Sequence, residues 1–208
     1  MELLKETLKA IGPPDEEAKK RAKERLDSLA KPIGSLGKLE EIVIKMAGIT
    51  GKPHNKIEKK NIVVMCADNG IVAEGVSACP QEFTMILTEN MTKGFTGVSV
   101  LSEMTNTDLT IVDIGLNGDI DNPKVLNKKI NYGTKNFTKG PSMTYDEAVK
   151  AIEVGIDIGD SLYSEGYDIL GTGELGIGNT TTSAAVLSAF SGLDTDITSG
   201  KGAGLTEE

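Results

Sequence analysis

The spacing of apolar and polar positions changes character along this chain. Residues 15–29 are charged, with apolar positions at Ala18, Ala22, Leu26 and Leu29, which predicts an amphipathic helix carrying a thin apolar stripe. Residues 36–49 predict a second helix, with Ser35 as its cap and Leu39, Ile42, Val43 and Met46 on one face. From Asn61 the pattern becomes that of strands. Ile62-Val63-Val64-Met65-Cys66-Ala67 is an unbroken apolar run, as a strand buried on both sides of a parallel sheet requires, and it ends in the turn Asp68-Asn69-Gly70. Helices are predicted at 81–93 and 97–105, and a second strand at 109–114. After a polar stretch reaching Pro141, a long helix is predicted over 145–164, where Thr144 and Glu147 form a capping box. A third strand at 167–171 leads into a glycine loop and another helix start.

Strands separated by helices predict an α/β fold, a parallel sheet with helices on both faces in a Rossmann-like, three-layer arrangement. The helical preface, residues 1–50, reads as part of a smaller helical domain, and residues 51–208 as the α/β ligand-binding domain. In such sheets ligands sit at the carboxyl ends of the strands. The loops 68–80, 113–118 and 171–179 meet there.

Composition removes several classes of function. The 208 residues are 38% hydrophobic and 25% charged, ordinary for a globular protein. The net charge of −9, with no broad Lys/Arg cluster, argues against nucleic acid as a partner. No apolar stretch approaches the ~20 residues that span a bilayer, so no membrane association is expected. The start Met1-Glu2-Leu3-Leu4-Lys5 has no signal-peptide core, and a cytoplasmic location with Cys66 and Cys79 reduced is the expectation. His54 is the only histidine, so neither a Ser-His-Asp triad nor a histidine-rich metal site is available. No metal and no cofactor are expected; carboxylates, amides, hydroxyls and lysines are left for chemistry.

The densest stretch is Gly171-Thr-Gly173-Glu174-Leu-Gly176-Ile-Gly178-Asn179-Thr180-Thr-Thr182. A strand, a glycine loop and a helix start seat an anion when the helix amides are free, with Asn179 or one of residues 180–182 as the cap. Glu174 in such a loop faces either solvent or something cationic or hydroxylic. The stretch has no Gly-Lys-Ser/Thr ending and no later acidic residue of a dinucleotide fingerprint. A glycine-rich turn needed only for packing is the equal alternative. A second dense loop runs from Asp68 through Glu74, Ser77 and Pro80 to Gln81 and Glu82. It can wall a flat pocket for a heteroaromatic, with Ser77 and Gln81 as hydrogen-bonding groups, or serve as a long connection.

These motifs together resemble the nicotinate-nucleotide–dimethylbenzimidazole phosphoribosyltransferases. The resembling segments are Lys31-Pro32-Ile33-Gly34-Ser35-Leu36-Gly37-Lys38-Leu39-Glu40, Ala67-Asp68-Asn69-Gly70, Val76-Ser77-Ala78-Cys79-Pro80-Gln81-Glu82, Gly133-Thr134-Lys135-Asn136-Phe137 with Gly140-Pro141-Ser142-Met143-Thr144, and Gly173-Glu174-Leu175-Gly176-Ile177-Gly178-Asn179-Thr180-Thr181. The family often has His at Asn69 and Met at Leu175. It continues well past Gly200-Lys201-Gly202-Ala203-Gly204, and its general-base glutamate lies in that continuation, so the sequence resembles the first part of the enzyme.

The resemblance implies transfer of 5-phosphoribosyl from nicotinate mononucleotide to dimethylbenzimidazole, for cobalamin assembly, by a homodimer without cofactor. It implies that Gly173, Gly176, Gly178, Asn179 and Thr180 hold the phosphate or ribose and that Glu174 lies near the anomeric carbon. Ser77 and Gln81 then line the benzimidazole pocket, Asp68 and Glu74 shape its loop, and Lys201 reaches a phosphate. The alternative is a nucleotide- or base-binding module that needs a partner to supply the base.

Overall fold

The computed structural model describes residues 1–202, so the expected glycine run from Ala203 onward lies outside the described residues. The chain divides into two compact units, one spanning Glu2–Glu58 and the other running from Lys59 onward together with Met1.

The first unit holds α1 (Glu2–Ala10), α2 (Glu16–Asp27) and α3 (Lys38–Thr50). Asp15 caps α2 by accepting the Ala18 N–H at 2.9 Å. Ala18 and Ala22 of α2 are buried with Ala47 and the half-buried Ile44 of α3. The small side chains allow close contact, and the Lys19 stem lies over Gly48, where a Cβ would come within 2.7 Å of it. This corrects the expected packing face of α3. Leu39, Ile42, Val43 and Ile49 are exposed, because the alanines of α2 match the small residues Ala47 and Gly48 instead. Nor does Ser35 cap α3; Gly37, at φ 53°, precedes its first residue and makes no side-chain bond. The loop before α3 is held by a nearly buried Lys31–Glu40 pair at 2.7 Å, with Glu40 also accepting the Leu36 N–H at 3.1 Å. Lys31, then that N–H, keeps the Glu40 carboxyl below the usual carboxylate range.

The second unit contains, in order, β1 (Lys60–Ala67), α4 (Phe83–Thr92), α5 (Gly97–Met104), β2 (Asp108–Gly115), β3 (Val125–Asn127), α6 (Tyr145–Ser164), β4 (Ile169–Leu175), α7 (Asn179–Ser191) and α8 (Thr195–Thr198). All pairings of the four-stranded sheet, ordered β3-β2-β1-β4, are parallel. The apolar run of β1 faces both ways. Val64 and Cys66 pack with Ile111, Leu116 and Met91 of α4, whereas Val63 packs with Val112 and with Ile158 and Leu162 of α6. Thr144 and Glu147 form the expected capping box at the start of α6.

Two elements differ from expectation. β3 falls between the second predicted strand and the polar stretch, where no element is predicted. β4 runs Ile169–Leu175 instead of 167–171, so Gly171 is in its interior and Gly173 belongs to the strand and not to a loop. The reason is close packing, since a Cβ on either would lie 3.2 Å from the Ile62 or Val64 side chain of β1. At the base of β4 the Asp168 N–H donates to the Lys59 carbonyl at 2.8 Å, and the Lys59 N–H donates to Asp168 Oδ2 at 2.9 Å. Among the described residues, no helix is long and apolar enough to cross a membrane.

Candidate active site

The carboxyl ends of β1, β2 and β4 carry the candidate residues. Asp68 follows β1 and is 2% exposed. Its N–H donates to the Gly115 carbonyl at 2.9 Å, and its carbonyl accepts the Thr134 N–H at 3.0 Å. Its Oδ2 accepts the Asn117 N–H at 2.7 Å. Asp68 thus ties the ends of β1 and β2 together. It also lines a cavity of about 580 Å³ with Gln81, Met85, Ile86, Asn90 and Asn117. The structure brings Asp68 and Gln81 to one cavity. Ser77 is not among its lining residues; its Oγ accepts the Cys79 N–H at 3.1 Å.

A 3-10 turn, Gly70–Glu74, continues the loop after β1. Glu74 faces the loop around Asn136. It accepts from Asn136 Nδ2 at 2.5 Å and Thr138 Oγ1 at 3.2 Å, with Lys139 Nζ at 3.5 Å. Those donors, Asn136 first, hold its carboxyl below the usual range. The carboxylate therefore straps two loops together.

The loop after β4 is short: Gly176, Ile177 and Gly178. Room for a ligand is not what its glycines supply. A Cβ on Gly176 would collide with the Ala67 carbonyl and come 2.6 Å from Asn69 Nδ2, and one on Gly178 would lie 2.9 Å from Val72 Cγ2. The protein itself makes the close approach. Ile177 is held from both sides, its N–H donating to Thr84 Oγ1 at 3.0 Å and its carbonyl accepting from Asn69 Nδ2 at 3.3 Å. Asn69 Oδ1 in turn accepts the Thr182 hydroxyl at 3.0 Å.

The cap of α7 also differs from expectation. Gly178, at φ 80°, takes that position without a side-chain bond, and neither Asn179 nor a threonine does. A left-handed N-cap requires glycine there. Two of the expected free amides, those of Asn179 and Thr180, are engaged, and the Thr182 N–H makes the first bond of the helix ladder. Asn179 N–H donates to the Gly176 carbonyl at 2.9 Å, Thr182 N–H to the Gly178 carbonyl at 3.3 Å, and Thr180 N–H to Asn179 Oδ1 at 3.0 Å. The side chain of Asn179 is instead aimed back at β4, where its Nδ2 donates to Glu174 Oε1 at 2.6 Å. Glu174 itself is exposed. Beside the first turn of α7 lies a groove of about 410 Å³, lined by Val76, Thr180, Thr181 and Ala184 and by residues 198–202, with the exposed Lys201 among them.

Asn69, noted as a member of the Asp68-Asn69-Gly70 turn, and Thr84 are the residues to which motif reading gave no role. Nothing local marked Thr84, because its helix mixes apolar residues with Thr88, Glu89, Asn90 and Thr92, yet Thr84 is fully buried. Burial pushes the Cys66 thiol up to about 11, so it stays protonated and takes no nucleophilic part.

A parallel sheet with acidic, amide and hydroxyl side chains gathered at the carboxyl ends of its strands is the layout of an α/β protein that binds a small ligand there. The family sequence model described as "Phosphoribosyltransferase" matches residues 11–208, and the chain belongs to that family. It is 59% identical, over all of its length, to the nicotinate-nucleotide–dimethylbenzimidazole phosphoribosyltransferase of Clostridium tetani, of which it covers 58%. It is 55% identical over 92% of its length to the enzyme of that name from Ruminiclostridium cellulolyticum, covering 54% of it. The crystal structure of CobT from Thermus thermophilus superposes with a TM-score of 0.88 at 36% identity, covering 92% of this chain and 58% of that one. The chain thus spans rather more than half the length of the relatives it matches.

Proposed function

We propose that this chain carries the nucleotide- and base-binding part of a nicotinate-nucleotide–dimethylbenzimidazole phosphoribosyltransferase. On this reading it holds nicotinate mononucleotide and dimethylbenzimidazole while 5-phosphoribosyl passes between their ring nitrogens, giving alpha-ribazole 5'-phosphate and nicotinate for cobalamin nucleotide-loop assembly. The names of the relatives support the substrates. The observation that carries the reading is the Glu174 carboxylate, steadied by Asn179 at 2.6 Å on a strand whose far end meets the glycine turn.

Nicotinate leaves from a pyridinium and departs as a neutral ring nitrogen, so its departure needs no acid. The anomeric carbon gains oxocarbenium character, and the fixed charge of Glu174 stabilises it without reorganising. Thr180 and Lys201 take the phosphate in the groove at α7, through hydroxyl and ammonium rather than through the engaged amides. Gln81 and Asp68 bound the cavity for the base. The benzimidazole N–H proton goes to a carboxylate that the family supplies from beyond residue 208. A homodimer in the cytoplasm belongs to the same reading, and the exposed stripe Leu39, Ile42 and Ile49 of α3 is apolar surface that a second copy would cover.

Calorimetry of the 208-residue chain with nicotinate mononucleotide and with dimethylbenzimidazole is the first test, followed by a search for product. Product marks a self-sufficient enzyme; binding without turnover marks a binding part. Binding of neither ligand overturns the proposal. Turnover by the Glu174→Gln variant is then compared with wild type, using the chain alone or, if it binds without turning over, the chain completed with the remaining segment of the Clostridium tetani relative. A loss of about 10²-fold at unchanged nucleotide affinity is expected; equal turnover would remove Glu174 from the mechanism.

A further inference from the structure

Lys129 lies between β3 and Tyr132, outside every motif discussed above, and its side chain is 10% exposed. Its ammonium donates to the carbonyls of Leu116 at 2.7 Å and Gly118 at 2.5 Å. It also pairs with Asp113 Oδ2 at 3.1 Å and lies 4.5 Å from the centre of the Tyr132 ring. Asp113, at the end of β2 and 1% exposed, closes the other side by accepting the Leu116 N–H through Oδ1 at 2.9 Å. Residues 116–118 are therefore held by an N–H and by two carbonyls at once. Buried ion pairs often contribute less to stability than apolar side chains of the same volume. A purpose beyond stability is therefore to be sought in what this clamp holds.

The residue between the clamped positions is Asn117. Its N–H is the one that binds Asp68 Oδ2 at 2.7 Å, and the residue lines the same cavity of about 580 Å³ as Asp68 and Gln81. The contacts run without a gap from Lys129 to the carbonyls of residues 116 and 118, from there to the Asn117 amide, and on to the Asp68 carboxylate at the cavity wall. A methionine at position 129 fills similar volume but offers no donor, so both carbonyls lose their partner and the Asn117 amide is free to shift. Nothing in this chain of contacts passes through β4, Glu174 or the groove at α7.

We propose that Lys129, braced by Asp113, is the positioning residue of the heteroaromatic-base subsite, setting through Asn117 where the Asp68 carboxylate meets the base. The proposal rests on the reading of that cavity as the base pocket. It also predicts a split: the base subsite loosens when the clamp is cut, while the nucleotide subsite does not.

The test is calorimetric titration of the 208-residue chain and its Lys129→Met variant with dimethylbenzimidazole and, separately, with nicotinate mononucleotide. The expected result is base affinity weakened by about tenfold or more, as a sub-ångström to ångström displacement produces, with nucleotide affinity within about twofold of wild type. Equal loss for both ligands would mean a general structural role and overturn the proposal, as would unchanged base affinity. If Lys129→Met does not fold, Asp113→Asn keeps an oxygen for the Leu116 N–H while removing the charge that braces Lys129, and the same split decides. Failure of the reading underneath is separately visible. A wild-type chain that binds the nucleotide but not the base would show that the cavity is no base pocket, before any variant is compared.

Discussion

Replacing Thr84 by valine removes one atom of consequence. The Thr84 side chain is fully buried, and its Oγ1 is the acceptor for the Ile177 N–H at 3.0 Å. Valine fills nearly the same volume, so no cavity opens and the effect is confined to the hydrogen bond. An unsatisfied buried donor costs about 1–3 kcal/mol. Ile177 is only half-buried, so water reaches part of it and the lower end, about 1 kcal/mol, is expected. The most direct assay is hydrogen exchange at the Ile177 amide, which should accelerate about 5- to 10-fold in Thr84→Val if opening is local. Urea unfolding should show a fall of similar size. Thr84→Ser is the control, because it deletes a buried methyl, at a cost of about 1 kcal/mol, but keeps the oxygen. It should lower stability while leaving Ile177 exchange near wild type. If the valine and serine variants exchange at the same rate at Ile177, the loop after β4 is not held by Thr84 and the reasoning fails.

Other consequences follow from the same region. Gly176→Ala forces a methyl into the Ala67 carbonyl, so a loss of about 3 kcal/mol, or failure to fold, is expected in denaturant titration; a loss below about 1 kcal/mol would show that the two loops separate easily. Glu74 should contribute a pH-dependent increment of stability. Its folded pKa lies below the ordinary glutamate value of 4.5, so its contribution is present above that pH and is lost as pH falls through the folded value. The stability gap between wild type and Glu74→Gln, measured by urea unfolding, should therefore be constant from pH 7 to about 5.5 and close below about 4.5. A gap that does not narrow at all as pH falls below about 4.5 would mean that Glu74 acts through something other than its charge.

Much of the sheet was legible because its signals are local. The unbroken run from Ile62 to Ala67 announces a strand covered on both faces, and Thr144 with Glu147 marks the start of α6. The extent of β4 was not legible. The glycines after Gly171 read as loop, whereas Gly171 and Gly173 are both demanded by side chains of β1, more than a hundred residues earlier in the chain. The face of α3 was misjudged for a related reason. Periodicity reveals that an apolar stripe exists but not whether the neighbouring helix offers large or small residues, and α2 offers alanines. At the site, motif reading singled out Asp68, Gln81, Glu174 and Asn179. It gave no role to Asn69, Thr84 and Lys129, whose partners stand 108, 93 and 13 positions away. Such partnerships leave no trace in composition or spacing.

β4 has an unusual kind of adhesion. On the side turned to Ile62 and Val64 it presents bare backbone, so it gains little from side-chain burial there and depends on its ladder to β1 and on two bolts. One is the reciprocal Lys59–Asp168 pair at its base, and the other is the Ile177 amide on Thr84 just past its tip. A ribbon fastened mainly at its ends keeps its line only while both fastenings hold. The steadiness with which Glu174 is presented is therefore governed from outside the strand, by Lys59 and Asp168 at one end and Thr84 at the other.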